Sequence, residues 1–323
     1  MSSLVSLKLI NIFVVVSVLL FRNPGKDVVS CALSSHPYDT FYVSGSDQGE
    51  ALVWRFGSPF GEPEDALLSL PLSCADSKLH ETSKTLASVC WSRSGSRIAT
   101  ICRDSRAFLL SPEACNYQAS ATPFLNGFPV FLSSSATLSC GNGIAFIGSG
   151  GSVVACVGES GGGHNLQVID ALAPPRSARV QHSFCHEGGA TCLATWNGFQ
   201  LATGGRNGGV ALHDVRMMGD DVPPLWFLPE VHSCTVETMS FANLAANEPM
   251  LLVSGGRDGD IHFTGLDGSE YYTIEQAHIR RTFYKQKGTN TAINAAVTGI
   301  VEADGGLLSC GTDGNVKLWS RKL

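Results

Sequence analysis

The sequence predicts an all-β fold, a β-propeller with six recognisable four-stranded blades, and a seventh blade is the alternative. A strand–turn–strand unit recurs six times along the 323 residues, and its middle strand commonly ends in Ser-Gly or Thr-Gly. An Asp-Gly or Asn-Gly turn follows in several units, and such turns supply the positive φ angles of a tight hairpin. Thirty-five glycines and only 15% charged residues fit many short strands rather than helices.

Each unit supplies a first, a middle, a third and an outer strand. The middle strands begin at Phe41, Arg97, Val153, Gln200, Leu251 and Leu307. The expected first strands are Val28–Leu33, Leu86–Trp91, Ile144–Ile147, Ala190–Thr195, Val236–Phe241 and Ala295–Val301. The expected outer strands are Ala66–Leu72, Thr122–Val130, Ala178–Phe184, Pro224–Leu228 and Ser269–Ile274. The units average about 49 residues, near the ~40–45 residues of a WD40-type blade.

The WD40-type signature is degenerate in this chain. In such blades a histidine, a serine or threonine, an aspartate and a tryptophan form a buried hydrogen-bonded chain. The signature residues found here are Trp54, Asn207, Asp258, Asp313 and Trp319. Only the last unit offers all four residue types, namely His278, Ser309, Asp313 and Trp319. Its histidine is far from its first strand, whereas His186 and His232 directly precede theirs.

We divide the chain into an apolar N-terminal segment, residues 1–26, and a propeller domain, residues 27–323. The last unit lacks an outer strand, and Val14–Phe21 is an unassigned β-branched run. We therefore expect Val14–Phe21 to pair beside Val316–Trp319 and close the last blade. The alternative is a signal peptide or membrane anchor, although Lys8 is the only basic residue before the apolar run and the run is short for a membrane span.

Charge and cysteine usage narrow the classes of function. The net charge of −6 argues against binding nucleic acid non-specifically, which requires a basic face. The chain has eleven cysteines and no C-x-x-C pair, and several lie inside apolar strands. This pattern favours reduced, buried thiols in a cytoplasmic protein over a disulfide framework.

Three motifs resemble a catalytic, a phosphate-binding or a zinc-binding site, but they are better explained as ordinary loop and strand residues. Gly158-Glu159-Ser160-Gly161-Gly162 matches the G-x-S-x-G string of a nucleophile elbow, but a strand follows it where a helix is required. Gly158 and Gly163 have the outer spacing of a phosphate loop without its Lys-Ser/Thr. His182, Cys185 and His186 fit no common zinc spacing. We expect no enzyme, cofactor, metal or small-molecule substrate, and a propeller enzyme is the least favoured alternative.

One dense basic patch stands out in an otherwise acidic chain. It consists of Arg280, Arg281, Lys285 and Lys287. Such a patch is often a solvated loop, but it is the best candidate in this sequence for contact with an acidic partner.

Several strings of the sequence point to a known family. They are His36-Pro37-Tyr38, Phe41–Gly45, Leu172–Pro175, Phe184–Thr191, Thr203–Gly208 and Leu308–Gly314. In these strings and in their order, the chain resembles the C-terminal propeller of the DmX-like, or rabconnectin-3 alpha, family of very long WD-repeat proteins. The resemblance covers Asp27–Trp319, and everything upstream of the family's last propeller is missing here.

The resemblance implies a scaffold that promotes assembly of the vacuolar proton-pumping ATPase (V-ATPase) and so acidifies organelles. It also implies partners among the V-ATPase peripheral subunits or their assembly factors. The location it implies is cytoplasmic, peripheral on endosomal or vacuolar membranes. The first alternative is a generic WD-repeat scaffold in vesicle traffic or ubiquitin ligase recruitment.

Overall fold

The structure of the chain is a computed structural model. It describes residues 28–33, 40–47, 49–56, 68–71, 85–105, 107–110, 138–160, 164–170, 179–183, 186–219, 222–244, 248–284, 289–303 and 306–320. The described part is built of antiparallel strands, with one short 3-10 turn at Val215–Met217. This confirms the predicted all-β class. Within these residues, no helix is long and apolar enough to cross a membrane.

The strands form successive sheets in chain order. The first sheet contains β1 Val28–Leu33, β2 Thr40–Ser46, β3 Glu50–Phe56 and β4 Leu68–Pro71. The second contains β5 Leu86–Trp91, β6 Ile98–Cys102 and β7 Ala107–Leu110. The third contains β8 Cys140–Ile147, β9 Val153–Glu159, β10 Leu166–Asp170 and β11 Arg179–Ser183.

The remaining strands continue the same pattern. The fourth sheet contains β12 Ala190–Trp196, β13 Gln200–Gly205, β14 Val210–Asp214 and β15 Trp226–Leu228. The fifth contains β16 Val236–Ala242, β17 Leu251–Gly256, β18 Ile261–Gly265 and β19 Glu270–Ile274. A separate hairpin contains β20 Ile279–Tyr284 and β21 Thr289–Asn294. The sixth sheet contains β22 Val297–Ala303, β23 Gly306–Gly311 and β24 Val316–Ser320.

Neighbours along the chain are neighbours in each sheet, and every pairing is antiparallel. The first and middle strands share a register shift near the start of the first strand. It falls at Val28/Ser30, Leu86/Ser88, Gly141/Gly143, Ala190/Cys192, Val236/Thr238 and Val297/Gly299. A bulge at one fixed position shows that the six sheets are copies of one unit, including those whose turn residues have diverged.

Two compact units divide the described residues. In the unit that contains β1–β11, apolar side chains of adjacent sheets pack together, such as Val43 with Leu86 and Ile101 with Ile144. In the unit that contains β12–β24, Leu212 belongs to one such cluster and Val253 to another. Burial of the middle strands on both faces matches their continuous apolar sequences.

The hairpin β20–β21 is the main departure from the expected strands. Residues 279–294 contain the basic patch, which composition alone favours as a loop. The structure instead pairs Ile279 with Asn294 and continues the pairing to Tyr284 and Thr289. Both arms are rich in β-branched and aromatic residues, which favour extended strands.

Residues 1–27 lie outside the described part, so the expected closing strand Val14–Phe21 stays a prediction. The same holds for Thr122–Val130. No described strand pairs with the outer edge of β24.

Candidate functional site

A buried hydrogen-bonded chain crosses the sixth sheet. The Nδ1 atom of His278 lies 2.8 Å from Oδ1 of Asp313, and its Nε2 atom lies 2.8 Å from Oγ of Ser309. The indole Nε1 of Trp319 donates to the same hydroxyl at 2.8 Å. Because the carboxylate only accepts, Nδ1 carries the proton, and the Ser309 hydroxyl donates to Nε2. The structure thus brings together the four residue types that the last unit offers.

Electrostatics keep this network in one protonation state. Burial lowers the pKa of His278, against the opposing effect of Asp313. Burial raises the pKa of Asp313, but hydrogen bonds from Asn315 and His278 outweigh it and leave the pKa below its ordinary value. The pair is therefore a neutral imidazole beside a carboxylate at neutral pH.

The hairpin explains why His278 is so far in sequence from its strand. It is inserted between His278 and the residues that lead into β22. The backbone N–H of Ala295 donates to the carbonyl of His278 at 3.1 Å, and that of Thr312 donates to Ala296 at 2.9 Å. The two ends of the insertion thus meet, so the histidine occupies the same place as in a blade without an insertion.

The fifth sheet carries a variant of the same chain. Nδ1 of His232 lies 3.1 Å from Oδ1 of Asp258, and Nε2 lies 2.9 Å from Oγ of Ser254. Burial raises the pKa of Asp258, but the hydrogen bond with His232 and other contacts outweigh it and lower the pKa overall. Buried Thr264 stands where the tryptophan would be, six residues after the aspartate. The ring of His262 packs edge-on against His232, with centroids 4.5 Å apart.

The fourth sheet replaces the tryptophan with a second histidine. Nε2 of His186 lies 2.9 Å from Oγ1 of Thr203, and Nε2 of His213 lies 3.1 Å from the same hydroxyl. Burial lowers the pKa of His186 to about 4 and that of His213 to about 3. His213 follows Asn207 by six residues, the same interval as Trp319 after Asp313, so this spacing was the signal that sequence reasoning missed.

The other predicted residues are placed as follows. Trp54 lies on β3 opposite Tyr42, and its side chain is outside the described part. Asn207 occupies the turn after β13, where its Oδ1 accepts from the N–H of Gly209 at 3.4 Å. His186 is held by the fourth-sheet network, and in the described part of the chain no group of three His, Cys, Asp or Glu residues could hold a metal ion.

The two arginines of the basic patch lie on the hairpin strand β20. Arg280 lies on β20 and is exposed. Arg281 is also on β20, but its side chain is not described, and Lys285 and Lys287 lie outside the described residues. A groove of about 680 Å³ opens beside the hairpin base. Its lining includes Arg280, Lys317, Asp313 and Trp319, so the groove joins the hairpin to the sixth-sheet network.

The cysteines whose side chains are described are free thiols, namely Cys90, Cys102, Cys140, Cys156, Cys192, Cys234 and Cys310. Burial raises the pKa of Cys90 and of Cys192 to about 12, and it raises that of Cys156 as well. These thiols therefore stay protonated and pack as small apolar groups.

The loop after β9 is a hairpin connection. β10 begins at Leu166 and pairs antiparallel with β9, and the N–H of Gly158 donates to the carbonyl of Asn165 at 3.1 Å. Ser160 therefore connects two strands, whereas a nucleophile elbow connects a strand to a helix.

Repeated sheets with buried histidine chains define a WD-repeat protein with a WD40-type β-propeller fold. The WD domain, G-beta repeat family model matches residues 282–320. The chain is 27% identical over 183 residues to DmX-like protein 1 of Mus musculus, a match that covers 55% of this chain and 5% of that protein. The chain thus spans only a small part of this relative.

Solved propeller structures share the fold at low identity. Raptor of Chaetomium thermophilum superposes with a TM-score of 0.65 at 14% identity, covering 93% of this chain and 24% of that one. Chaetomium thermophilum Sqt1, bound to the N-terminus of the ribosomal protein L10, gives a TM-score of 0.59 at 17% identity and covers 88% and 69%.

Proposed function

We propose that this chain is a protein-interaction scaffold that serves assembly of the vacuolar-type proton ATPase, with the hairpin β20–β21 as its contact for an acidic partner. The observation that most directly supports this proposal is the exposure of Arg280 on the hairpin β20–β21. This hairpin is inserted directly after His278, which belongs to the buried hydrogen-bonded network of the sixth sheet. WD40 propellers generally act by binding other proteins. One structural neighbour is itself bound to the N-terminus of another protein.

The charge of the hairpin supports an acidic partner. Between Ile279 and Asn294 the sequence has four basic residues and no acidic one, whereas the whole chain has a net charge of −6. A local basic surface on an acidic protein attracts an acidic segment over short range without attracting polyanions in general. The ends of the hairpin are fixed by the Ala295–His278 hydrogen bond, so less conformational freedom is lost on binding.

The choice of partner complex depends on the family resemblance. The partial identity to DmX-like protein 1 supports it, as do the strings noted above. Under this proposal the chain is cytoplasmic and sits peripherally on endosomal or vacuolar membranes. Its partners are V-ATPase peripheral subunits or assembly factors.

Native affinity purification with mass spectrometry tests the proposal. The tagged chain should recover V-ATPase peripheral subunits or assembly factors. Arg280→Glu with Arg281→Glu should abolish that recovery, while Arg280→Lys with Arg281→Lys, which keeps the charge, should retain most of it. Repeated recovery of unrelated partners only, such as coat or ubiquitin ligase components, would replace the V-ATPase assignment with a generic scaffold.

A further inference from the structure

The outer strand of the fifth sheet, β19, has an open edge. It is the last strand in the order β16-β17-β18-β19, and no described strand pairs with its other side. Tyr271 and Tyr272 are 57% and 59% exposed, and Glu270 beside them is also exposed. An open edge presents unpaired backbone N–H and C=O groups, which readily pair with another extended chain.

The comparison with β15 shows which blocking features the edge of β19 lacks. β15, the outer strand of the fourth sheet, has three residues, and prolines flank it at Pro223, Pro224 and Pro229. Short length and proline are common means of blocking strand addition. β19 has five residues, and the stretch 265–276 contains no proline, lysine or arginine. This edge thus lacks those sequence features.

A bulge in β19 accompanies the exposure of both Tyr271 and Tyr272 to solvent. Phe263 lies opposite Tyr272, and Thr264 lies opposite Glu270, so Tyr271 is the extra residue between them. Successive residues of a regular strand point to opposite faces, but a bulge changes the direction of a side chain. Tyr272 packs its ring 6.0 Å from that of Phe263 and still remains largely exposed.

The edge is also acidic. Asp267 accepts hydrogen bonds from Ser269, and Glu270 accepts one from Thr273. Exposed Glu275 follows the strand. None of these carboxylates forms an ion pair with a lysine or arginine in the part of the chain that is described. Carboxylates next to exposed aromatic rings suit a guanidinium or ammonium group, which pairs with the former and stacks on the latter.

We propose that β19 is a second docking site, which takes an extended, arginine- or lysine-bearing segment of a partner protein as an added strand. The main chain of that segment bonds to the open edge beside Tyr272–Ile274. Its cationic side chains lie against Tyr271, Tyr272 and the carboxylates of Glu270 and Glu275. The segment proposed for β19 has the opposite charge to the partner proposed for the hairpin. Glu275 and Arg280 line the same groove, so the charge of the bound segment decides which of the two sites it occupies.

Fluorescence anisotropy with labelled heptapeptides tests the site. A peptide of alternating arginine and valine should bind the full chain at least about tenfold more tightly than one of alternating glutamate and valine. Methylating alternate amide nitrogens of the arginine peptide should abolish binding, because the main-chain hydrogen bonds are lost. Binding that survives methylation overturns strand addition, and equal binding of the two charge types overturns the cationic ligand.

Variants locate the binding. Tyr271→Ser with Tyr272→Ser should weaken the arginine peptide about tenfold, and Glu270→Gln with Glu275→Gln should weaken it and reduce its salt dependence. Met217→Ser is the matched control, since Met217 is 61% exposed in the same unit, and it should have no effect. Undiminished binding to the tyrosine variant, or no binding to the unmodified chain, overturns the proposal. Glu275 and Arg280 line the same groove, so Arg280→Glu removes a repelling cation and should strengthen binding of the arginine peptide. The same substitution should weaken an acidic partner at the hairpin, which distinguishes the two sites.

Discussion

The backbone N–H of His278 donates to the carbonyl oxygen of Gly259 at 3.1 Å, which links the turn of the fifth sheet to the buried network of the sixth. His232 makes the same bond to Gly208 at 3.1 Å, one sheet earlier. Each of these histidines thus joins two successive sheets, because its backbone bonds to the preceding turn and its ring bonds within the following sheet. Loss of such a ring should therefore weaken the following sheet and loosen the residue whose backbone joins it to the preceding sheet.

His278→Ala should lower the free energy of unfolding by about 3 kcal/mol, because it leaves the buried carboxylate of Asp313 and the hydroxyl of Ser309 without their ring partner. Trp319→Phe removes only the indole donor to Ser309 and should cost about 1–2 kcal/mol. Urea unfolding of both variants measures the difference. Equal losses in the two would show that the imidazole does not anchor the network.

Gly256→Ala should be more damaging than Gly314→Ala, although both glycines lie in or beside equivalent turns. A Cβ atom at Gly256 would clash with Nδ1 of His232 and with Oδ1 of Asp258, so the ring must move. Gly314 has φ of +76° and open space around it, so alanine there costs only the backbone strain of about 1 kcal/mol. We expect Gly256→Ala to lower the free energy of unfolding by at least about 2 kcal/mol. Thermal melts that rank the two in the opposite order would contradict the close packing.

The fourth sheet should make the protein sensitive to acid. His186 has a folded pKa of about 4 against an ordinary value of 6.5, so the unfolded chain binds a proton before the folded one does. The stabilisation is complete above about pH 6.5 and is lost as the pH falls toward 4, by roughly 3 kcal/mol for this residue. His213 acts in the same direction, with a folded pKa of about 3.

The matched variants for acid sensitivity are His213→Phe and Trp319→Phe. Both disturb a buried network, but only the first removes a titrating group. His213→Phe should flatten the decline of unfolding free energy between pH 6.5 and pH 4, while Trp319→Phe should keep it. A decline of the same steepness in both would assign the acid sensitivity to other groups.

Deleting residues 1–23 should destabilise the domain by several kcal/mol if Val14–Phe21 closes the last blade, because roughly eight apolar residues would leave a buried site. The open edge of β24 would also raise the tendency to aggregate. A targeting segment predicts that the truncated protein is at least as stable. An unchanged melting temperature would contradict the closing strand and favour a targeting segment at Val14–Phe21.

Strand positions could be predicted because each turn leaves a local signal. The outer strand expected at Ser269–Ile274 is observed at Glu270–Ile274, and that expected at Ala178–Phe184 is observed at Arg179–Ser183. Hairpin turns and β-branched runs act over a few residues, so a single sequence displays them. The insertion β20–β21 was missed because its strands do not alternate regularly between polar and apolar residues, and its clustered charges are typical of a loop.

The buried networks were only partly predictable for a different reason. A search for tryptophan finds Trp319 but misses His213. His213 contacts the Thr203 hydroxyl from the position in its sheet at which Trp319 contacts the Ser309 hydroxyl. The contact between His232 and His262 depends on packing across strands that no spacing rule encodes. The bulge at Tyr271 is likewise set by pairing between strands, so the open edge of β19 became visible only in three dimensions.

The hydrogen bond between Ala295 and His278 also makes the base of the β20–β21 insertion a position where one segment can replace another. Because the two ends of the insertion are already tied together, the segment between them can be shortened, lengthened or exchanged without a change in the path of the flanking chain. A propeller of this kind can acquire a new recognition element by replacing one ribbon, and the frame that carries it need not be redesigned.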